Sequence, residues 1–271
     1  MTKAPAPTGH ALRTQAARTP ERRAMLWIVA LQIGFALFLF SGDIGRALPR
    51  LLAPSTAPAL TKPVAPGDQT RRFAPRDLPA RSAPPGSRPL PASGDMPTRL
   101  LFEDVAWQGA PALMLTGEIA PGDAARLADH LARGTVPATV FLDSPGGSVA
   151  DALAIGRSLR ALGVATRISA ADVCLSACPY ILAAGTTRTV DTDAWVGVHQ
   201  HYFGENTALP AFLAVADIQR GQGEVMGYLI EMGIDPGLMQ PALLTPPDEI
   251  YLLLPEELAG FRLVTPPAQE G

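Results

Sequence analysis

Residues 141–148 read Phe141-Leu142-Asp143-Ser144-Pro145-Gly146-Gly147-Ser148. The apolar start reads as a strand of the buried type, and the glycine pair as a turn that opens a helix. Further on, Val173-Cys174-Leu175-Ser176-Ala177-Cys178-Pro179-Tyr180 reads as a strand that delivers a serine to the start of another helix. A serine hydroxyl is a poor nucleophile unless a base takes its proton and fixed donors stabilise the oxyanion. Gly146 and Gly147 lack Cβ, so a bound chain can approach their amides closely. The amide of Ala177 falls in the first turn of the following helix, where N–H groups have no partner within the helix and the dipole favours negative charge. The two stretches therefore read as halves of one hydrolytic site. Singly, each has a plainer reading: a strand-to-helix turn for Ser-Pro-Gly-Gly, and a helix cap for Ser176.

The flanking chain alternates between two periodicities. Ala112 to Ile119, Ala138 to Leu142 and Val164 to Ile168 are strand candidates. Pro121 to Arg133 carries Ala124, Leu127 and Leu131 at helical spacing, with proline in its first turn. Ser148 to Leu162 is also helical, with Val149, Leu153, Gly156, Leu159 and Leu162 near one stripe. Ser176 to Ala184 reads as a helix, and Thr189-Val190 and Ala194 to His199 as short strands. Ala208 to Met232 is largely helical, Pro236 to Leu243 a further helical piece, Ile250 to Leu254 a strand and Pro255 to Gly260 a helical turn. Strands and helices alternating over short connections predict an α/β fold with βαβ crossovers. Phe203, Phe212 and Tyr228 read as core packing, with a cover over the site as the alternative.

Taken in order, five segments resemble the ClpP-type serine peptidases of the ClpP/crotonase superfamily. They are Leu115-Thr116-Gly117-Glu118-Ile119, Leu142-Asp143-Ser144-Pro145-Gly146-Gly147-Ser148-Val149, Ser176, Ala183-Ala184-Gly185-Thr186-Thr187-Arg188 and Val196-Gly197-Val198-His199-Gln200. The similarity covers Ala112 to His199 and continues more faintly to about Val264. It implies a fold of repeated ββα units and hydrolysis of a peptide or protein substrate through an acyl-enzyme. Residue by residue, it makes Ser176 the nucleophile, His199 the general base, and the amides of Gly147 and Ala177 the oxyanion hole. His201 is a rival base, because residues two apart on a continuing strand share a face. In the family an acid follows the histidine, ahead of a strand and a Pro-Glu turn. Thr245-Pro246-Pro247-Asp248-Glu249-Ile250-Tyr251, followed by Pro255-Glu256-Glu257, is similar to that segment. Asp248 is then the expected third member, orienting and charge-stabilising the imidazole, with Glu249 and Asp217 as alternatives. No metal and no cofactor is implied. The superfamily assembles rings or trimers, so a homo-oligomer of unfixed count is implied.

Three other chemistries can be weighed against this one. Related enzymes use a serine–lysine dyad, but Lys3 and Lys62 are the only lysines and both precede the domain. Crotonase-type enzymes use glycine-turn amides to polarise an acyl-CoA thioester, and a seryl nucleophile is not part of that chemistry. A catalytically inactive relative would bind peptides or partner proteins through the same groove.

The chain departs from the family beside the serine, where small residues are usual. Here Cys174, Cys178 and Pro179 surround Ser176. Cys174 at a strand end and Cys178 one turn into a helix are spaced compatibly with a bridge in an oxidising compartment. Such a bridge would clamp the elbow carrying Ser176. The alternatives are two buried thiols, or Cys178 itself as nucleophile.

Upstream the texture differs. Residues 1–23 are polar and basic and read as a disordered cytoplasmic tail. Residues 24–41 contain an apolar run, Ala24 to Phe40, broken only by Gln32 and Gly34 and at the short end for a spanning helix. It reads as an uncleaved signal anchor of an inner (cytoplasmic) membrane. Lys3, Arg13, Arg18, Arg22 and Arg23 before it place the N-terminus in the cytoplasm and the rest in the periplasm or outside. Arg46 and Arg50 beyond it pull the other way. A cleaved signal peptide would end at a small-residue site, which Ser41-Gly42-Asp43-Ile44-Gly45-Arg46 does not offer. Residues 42–98 form a Pro/Ala-rich linker, expected to be an extended spacer. Residues 99–266 are the folded domain and 267–271 a disordered tail. A net charge of −3 and a pI near 5.8 give no reason to expect nucleic acid as a partner.

Overall fold

The computed structural model describes residues 20–52, 69–72, 96–201 and 211–266. The basic tail before residue 20, most of the linker and residues 267–271 lie outside the described residues. The chain divides into two units, Met1–Thr56 and Ala57–Gly271. In the first, helix α1 (Pro20–Leu52) carries the apolar run, and its large side chains from Met25 to Phe38 are exposed. Among the described residues no helix is long and apolar enough to cross a membrane.

The second unit is mixed α/β, built on two mixed sheets. In chain order its elements are β1 (Thr70–Arg72), β2 (Leu101–Trp107), β3 (Ala110–Thr116), α2 (Asp123–Arg133), β4 (Thr139–Asp143), α3 (Val149–Ala161), β5 (Ala165–Ile168) and β6 (Val173–Leu175). Then follow α4 (Cys178–Ala183), β7 (Arg188–Val190), β8 (Trp195–Val198), α5 (Ala211–Glu231), α6 (Met239–Leu244), β9 (Glu249–Leu252) and α7 (Pro255–Gly260). The larger sheet has the order β2-β3-β4-β5-β7, antiparallel at its β2–β3 hairpin and parallel elsewhere. The smaller has the order β1-β9-β8-β6, with β6 and β8 parallel and the other pairs antiparallel.

The parallel centre explains the continuous apolar strands. All five residues of β4 are buried, as a strand covered on both faces requires. Leu113, Leu115, Val140 and Leu142 pack in one core with Ile155 and Leu159 of α3 and Ile181 and Leu182 of α4. Each leucine so buried contributes about 2 kcal/mol of transfer free energy. The carboxylate of Asp151 joins helix starts. It accepts from the Ser148 hydroxyl at 2.7 Å and from the amides of Gly122 and Ala124, both at 3.0 Å.

Two strands were not expected. β2 forms a hairpin with β3 across Gln108-Gly109, both at positive φ (50° and 79°), the geometry of a primed two-residue turn. β1 lies inside the stretch 42–98 read as linker. It pairs with β9 (Arg71 opposite Ile250), so the domain reaches back to residues 69–72. The expected helix from Ser176 begins only at Cys178, and α5 begins at Ala211. Phe203 lies outside the described residues, whereas Tyr228 is core, with its hydroxyl donating to the Tyr180 carbonyl at 2.7 Å.

One local pairing positions the site. At the end of β4, Ser144 leaves the larger sheet and bridges Cys174 of β6 in parallel. The Ser144 amide donates to the Val173 carbonyl (2.8 Å), and the Leu175 amide to the Ser144 carbonyl (3.0 Å). The glycine turn and the serine elbow are thereby held side by side.

Candidate active site

Ser176 sits between β6 and α4 with φ of 59°, in the left-handed region where a residue other than glycine is strained by about 1 kcal/mol or more. Its amide donates to the Gly197 carbonyl of β8 at 2.9 Å. Cys174 and Cys178 form a disulfide across it, with Cα atoms 5.1 Å apart and both residues fully buried. Cys178 therefore holds no thiol that could act as nucleophile.

The other half is the turn Pro145-Gly146-Gly147. Gly146 (φ 99°) and Gly147 (φ 137°) both adopt backbone that only glycine takes readily. A Cβ on Gly146 would meet Ser176 Cβ at 2.5 Å and the Ala177 amide nitrogen at 2.9 Å. One on Gly147 would stand 2.3 Å from the Ile119 carbonyl oxygen. Ile119 bridges Gly147 in parallel, donating to the Gly146 carbonyl and accepting from the Ser148 amide, each at 2.7 Å. That pattern turns the Gly147 N–H to the opposite side, away from Ile119. Ala177 is the N-cap of α4, so its amide precedes the helical ladder. α4 has only six residues, and its dipole is correspondingly weak support.

His199 follows β8 and closes the site. Its Nε2 lies 2.7 Å from Ser176 Oγ, and its Nδ1 lies 3.0 Å from the Pro247 carbonyl oxygen. A carbonyl only accepts, so Nδ1 carries the proton and donates it. Nε2 is left with a lone pair, to which the Ser176 hydroxyl donates. Burial lowers the His199 pKa, against the opposing pull of the Pro247 and Glu249 backbone and of the Asp248 charge. The ring is thus kept neutral, as a base must be.

The position expected for an acid at Nδ1 is taken by backbone. Asp248 is exposed, one residue beyond the Pro247 carbonyl, and acts on the imidazole through its charge. Glu249 opens β9, and Asp217 lies on α5, hydrogen-bonded by Arg220 at 3.1 Å. The Pro-Pro-Asp-Glu pattern marks the segment, but a main-chain acceptor has no residue type of its own to mark it. The rival His201 is 2.7 Å from the Tyr180 hydroxyl, and burial, with the His199 charge, pushes its pKa down to about 4. Ser144, in the Ser-Pro-Gly-Gly stretch, supports the turn as well. Its hydroxyl accepts from the Gly146 amide at 3.1 Å and so steadies the turn.

Ser176 and His199 face a cavity of about 710 Å3, which the Gly146-Gly147 turn also lines. Among the described residues no group of three His, Cys, Asp or Glu side chains is placed to hold a metal ion. The arrangement can deprotonate a serine and present amides to an adjacent oxyanion. No family model matches this chain, and no curated protein matches it.

Proposed function

We propose that this protein is a membrane-anchored serine peptidase with a fold of the ClpP/crotonase kind. The observation that carries the reading is the 2.7 Å contact between Ser176 Oγ and His199 Nε2 beside the glycine turn. Ser176 Oγ attacks the peptide carbonyl as His199 Nε2 takes its proton. The amides of Gly147 and Ala177 receive the oxyanion. The imidazolium returns its proton to the leaving amine, and water then hydrolyses the acyl-enzyme with His199 again as base. The Pro247 carbonyl orients the ring, and the Asp248 charge favours the imidazolium as it forms. The substrate is a peptide or protein, and the enzyme is an oligomer.

The N-terminal helix holds the chain at an inner (cytoplasmic) membrane, with the domain on the periplasmic or outer side. Its exposed apolar run supports this. That run extends about 25 Å, somewhat less than a bilayer's hydrocarbon core of about 30 Å. Alkaline carbonate extraction and protease accessibility of spheroplasts with an intact inner membrane test the placement. An extractable chain, or a domain reached only after the inner membrane is lysed, would contradict it.

Peptidase activity is tested by digesting an unstructured protein with the full chain and mapping the fragments. New termini absent with Ser176→Ala are expected; identical patterns from both proteins would refute it. A second reading is a non-catalytic peptide-binding protein, favoured by one observation, the carbonyl rather than a carboxylate at His199 Nδ1. Full biological activity of Ser176→Ala would support that reading instead.

A further inference from the structure

The cavity over Ser176 is uneven in charge. Its walls include the apolar Ile119, Val149 and Leu153, with two carboxylates, Glu118 after β3 and Glu224 on α5. Both glutamates are exposed, and among the described residues neither has an ion-pair partner. Among the described residues no lysine or arginine lines the cavity. The nearest in sequence to a lining residue of α5 is Arg220, beside Gly221, and Asp217 holds it at 3.1 Å. Burial keeps His199 and His201 neutral, so the two histidines do not offset the glutamates.

From this we infer that the site selects substrates bearing a cationic group next to the cleaved bond, recognised by Glu118 and Glu224. The inference rests on the peptidase reading for the identity of the site and adds the class of substrate. A lysine or arginine suits both features of the cavity. Its methylene stem lies along apolar wall while its head meets carboxylate, as a charge-assisted hydrogen bond. An acidic side chain in the same place meets like charge without compensation. A free terminal ammonium offers the same charge without the stem.

The test compares dye-labelled peptides binding to the full-length Ser176→Ala protein, read by fluorescence anisotropy at low ionic strength. An acetylated arginine peptide is set against its citrulline counterpart, which has nearly the same shape and no charge. The arginine peptide should bind roughly tenfold tighter, an advantage that shrinks with salt. Glu118→Gln with Glu224→Gln should reduce that ratio to near one. An unacetylated peptide without arginine shows whether the ammonium alone suffices; a gain there assigns the cation to the N-terminus. Equal binding of the arginine and citrulline peptides overturns the inference, as does a preference that survives both glutamate substitutions. Labelling of the wild-type chain by a serine-directed probe separates the two failures. A labelled Ser176 with no arginine preference leaves the peptidase and removes the specificity; an arginine preference without labelling does the reverse.

Discussion

The Cβ of Ser176 stands 2.5 Å from where a side chain on Gly146 would begin. The turn that presents amides and the elbow that presents the hydroxyl therefore meet backbone to backbone. Gly146→Ala forces them apart and also strains a backbone at φ of 99°. It is expected to cost about 2–4 kcal/mol of stability and to slow acylation of Ser176 at least roughly tenfold. Urea denaturation and probe-labelling rates measure the two effects. Wild-type values in both would contradict the close approach.

The disulfide is expected to matter more to the nucleophile than to the fold. Its cysteines are only four residues apart, so closing that loop constrains the unfolded chain by about 2 kcal/mol, near the bottom of the range. Its local effect is to fix both sides of Ser176 in a left-handed conformation. The Cys174→Ala, Cys178→Ala double variant should remain folded, with a Tm lowered by several degrees. Ser176 should label much more slowly in it. A lowered Tm with an unchanged labelling rate would assign the bridge to stability alone. Mass spectrometry after alkylation without reductant should find no added label.

The pH dependence follows from His199. Its pKa is held below the ordinary 6.5, chiefly by burial. In the proposed mechanism the neutral ring is the base, so activity should rise with pH through that lowered pKa, with the acid limb below 6.5. Asp248→Asn removes a charge that favours the imidazolium and should move the limb to still lower pH. Because Nδ1 is held by the Pro247 carbonyl and Asp248 is exposed, the plateau should fall by less than roughly tenfold. A loss of about 10⁴ on the plateau, the cost of losing a hydrogen-bonded triad acid, would show that Asp248 and not the carbonyl orients the ring.

How much of this could be read in the sequence differs by element. β4 and α3 were legible because a buried strand and a helix with Val149, Leu153 and Gly156 on one stripe carry strong periodic signals. β2 was not, since an edge strand with Glu103 and Asp104 at its centre has no apolar alternation to find. β1 was hidden in proline-rich chain, where three residues gain their structure only from β9. The Ser176–His199 pairing depended on motif order, whereas the Pro247 carbonyl depended on the path of the backbone, which no residue type announces.

Asp123 offers a check on the scaffold away from the site. Its buried carboxylate accepts from Arg99 and Arg126, both at 2.7 Å, and from the amides of Leu100 and Ala120. Burial alone would raise its pKa, but these four donors outweigh it, led by Arg99, and the net shift is downward. A depressed carboxylate contributes stability that is fully present above its unfolded pKa and is lost as pH falls through the folded value. Wild-type stability should therefore drop on acidification from about pH 4 downward. Asp123→Ala should cost about 2–4 kcal/mol at neutral pH by leaving two amides and two arginines without their acceptor, and should flatten that acid slope. Parallel slopes for both proteins would remove Asp123 as the cause.

The most direct measurement is labelling of the intact chain by a fluorophosphonate, followed by peptide mapping. The Ser176–His199 account predicts a single adduct on Ser176, absent in Ser176→Ala and formed at least roughly a hundredfold more slowly in His199→Ala. Folded protein that forms no adduct, or that labels as fast without His199, would contradict it.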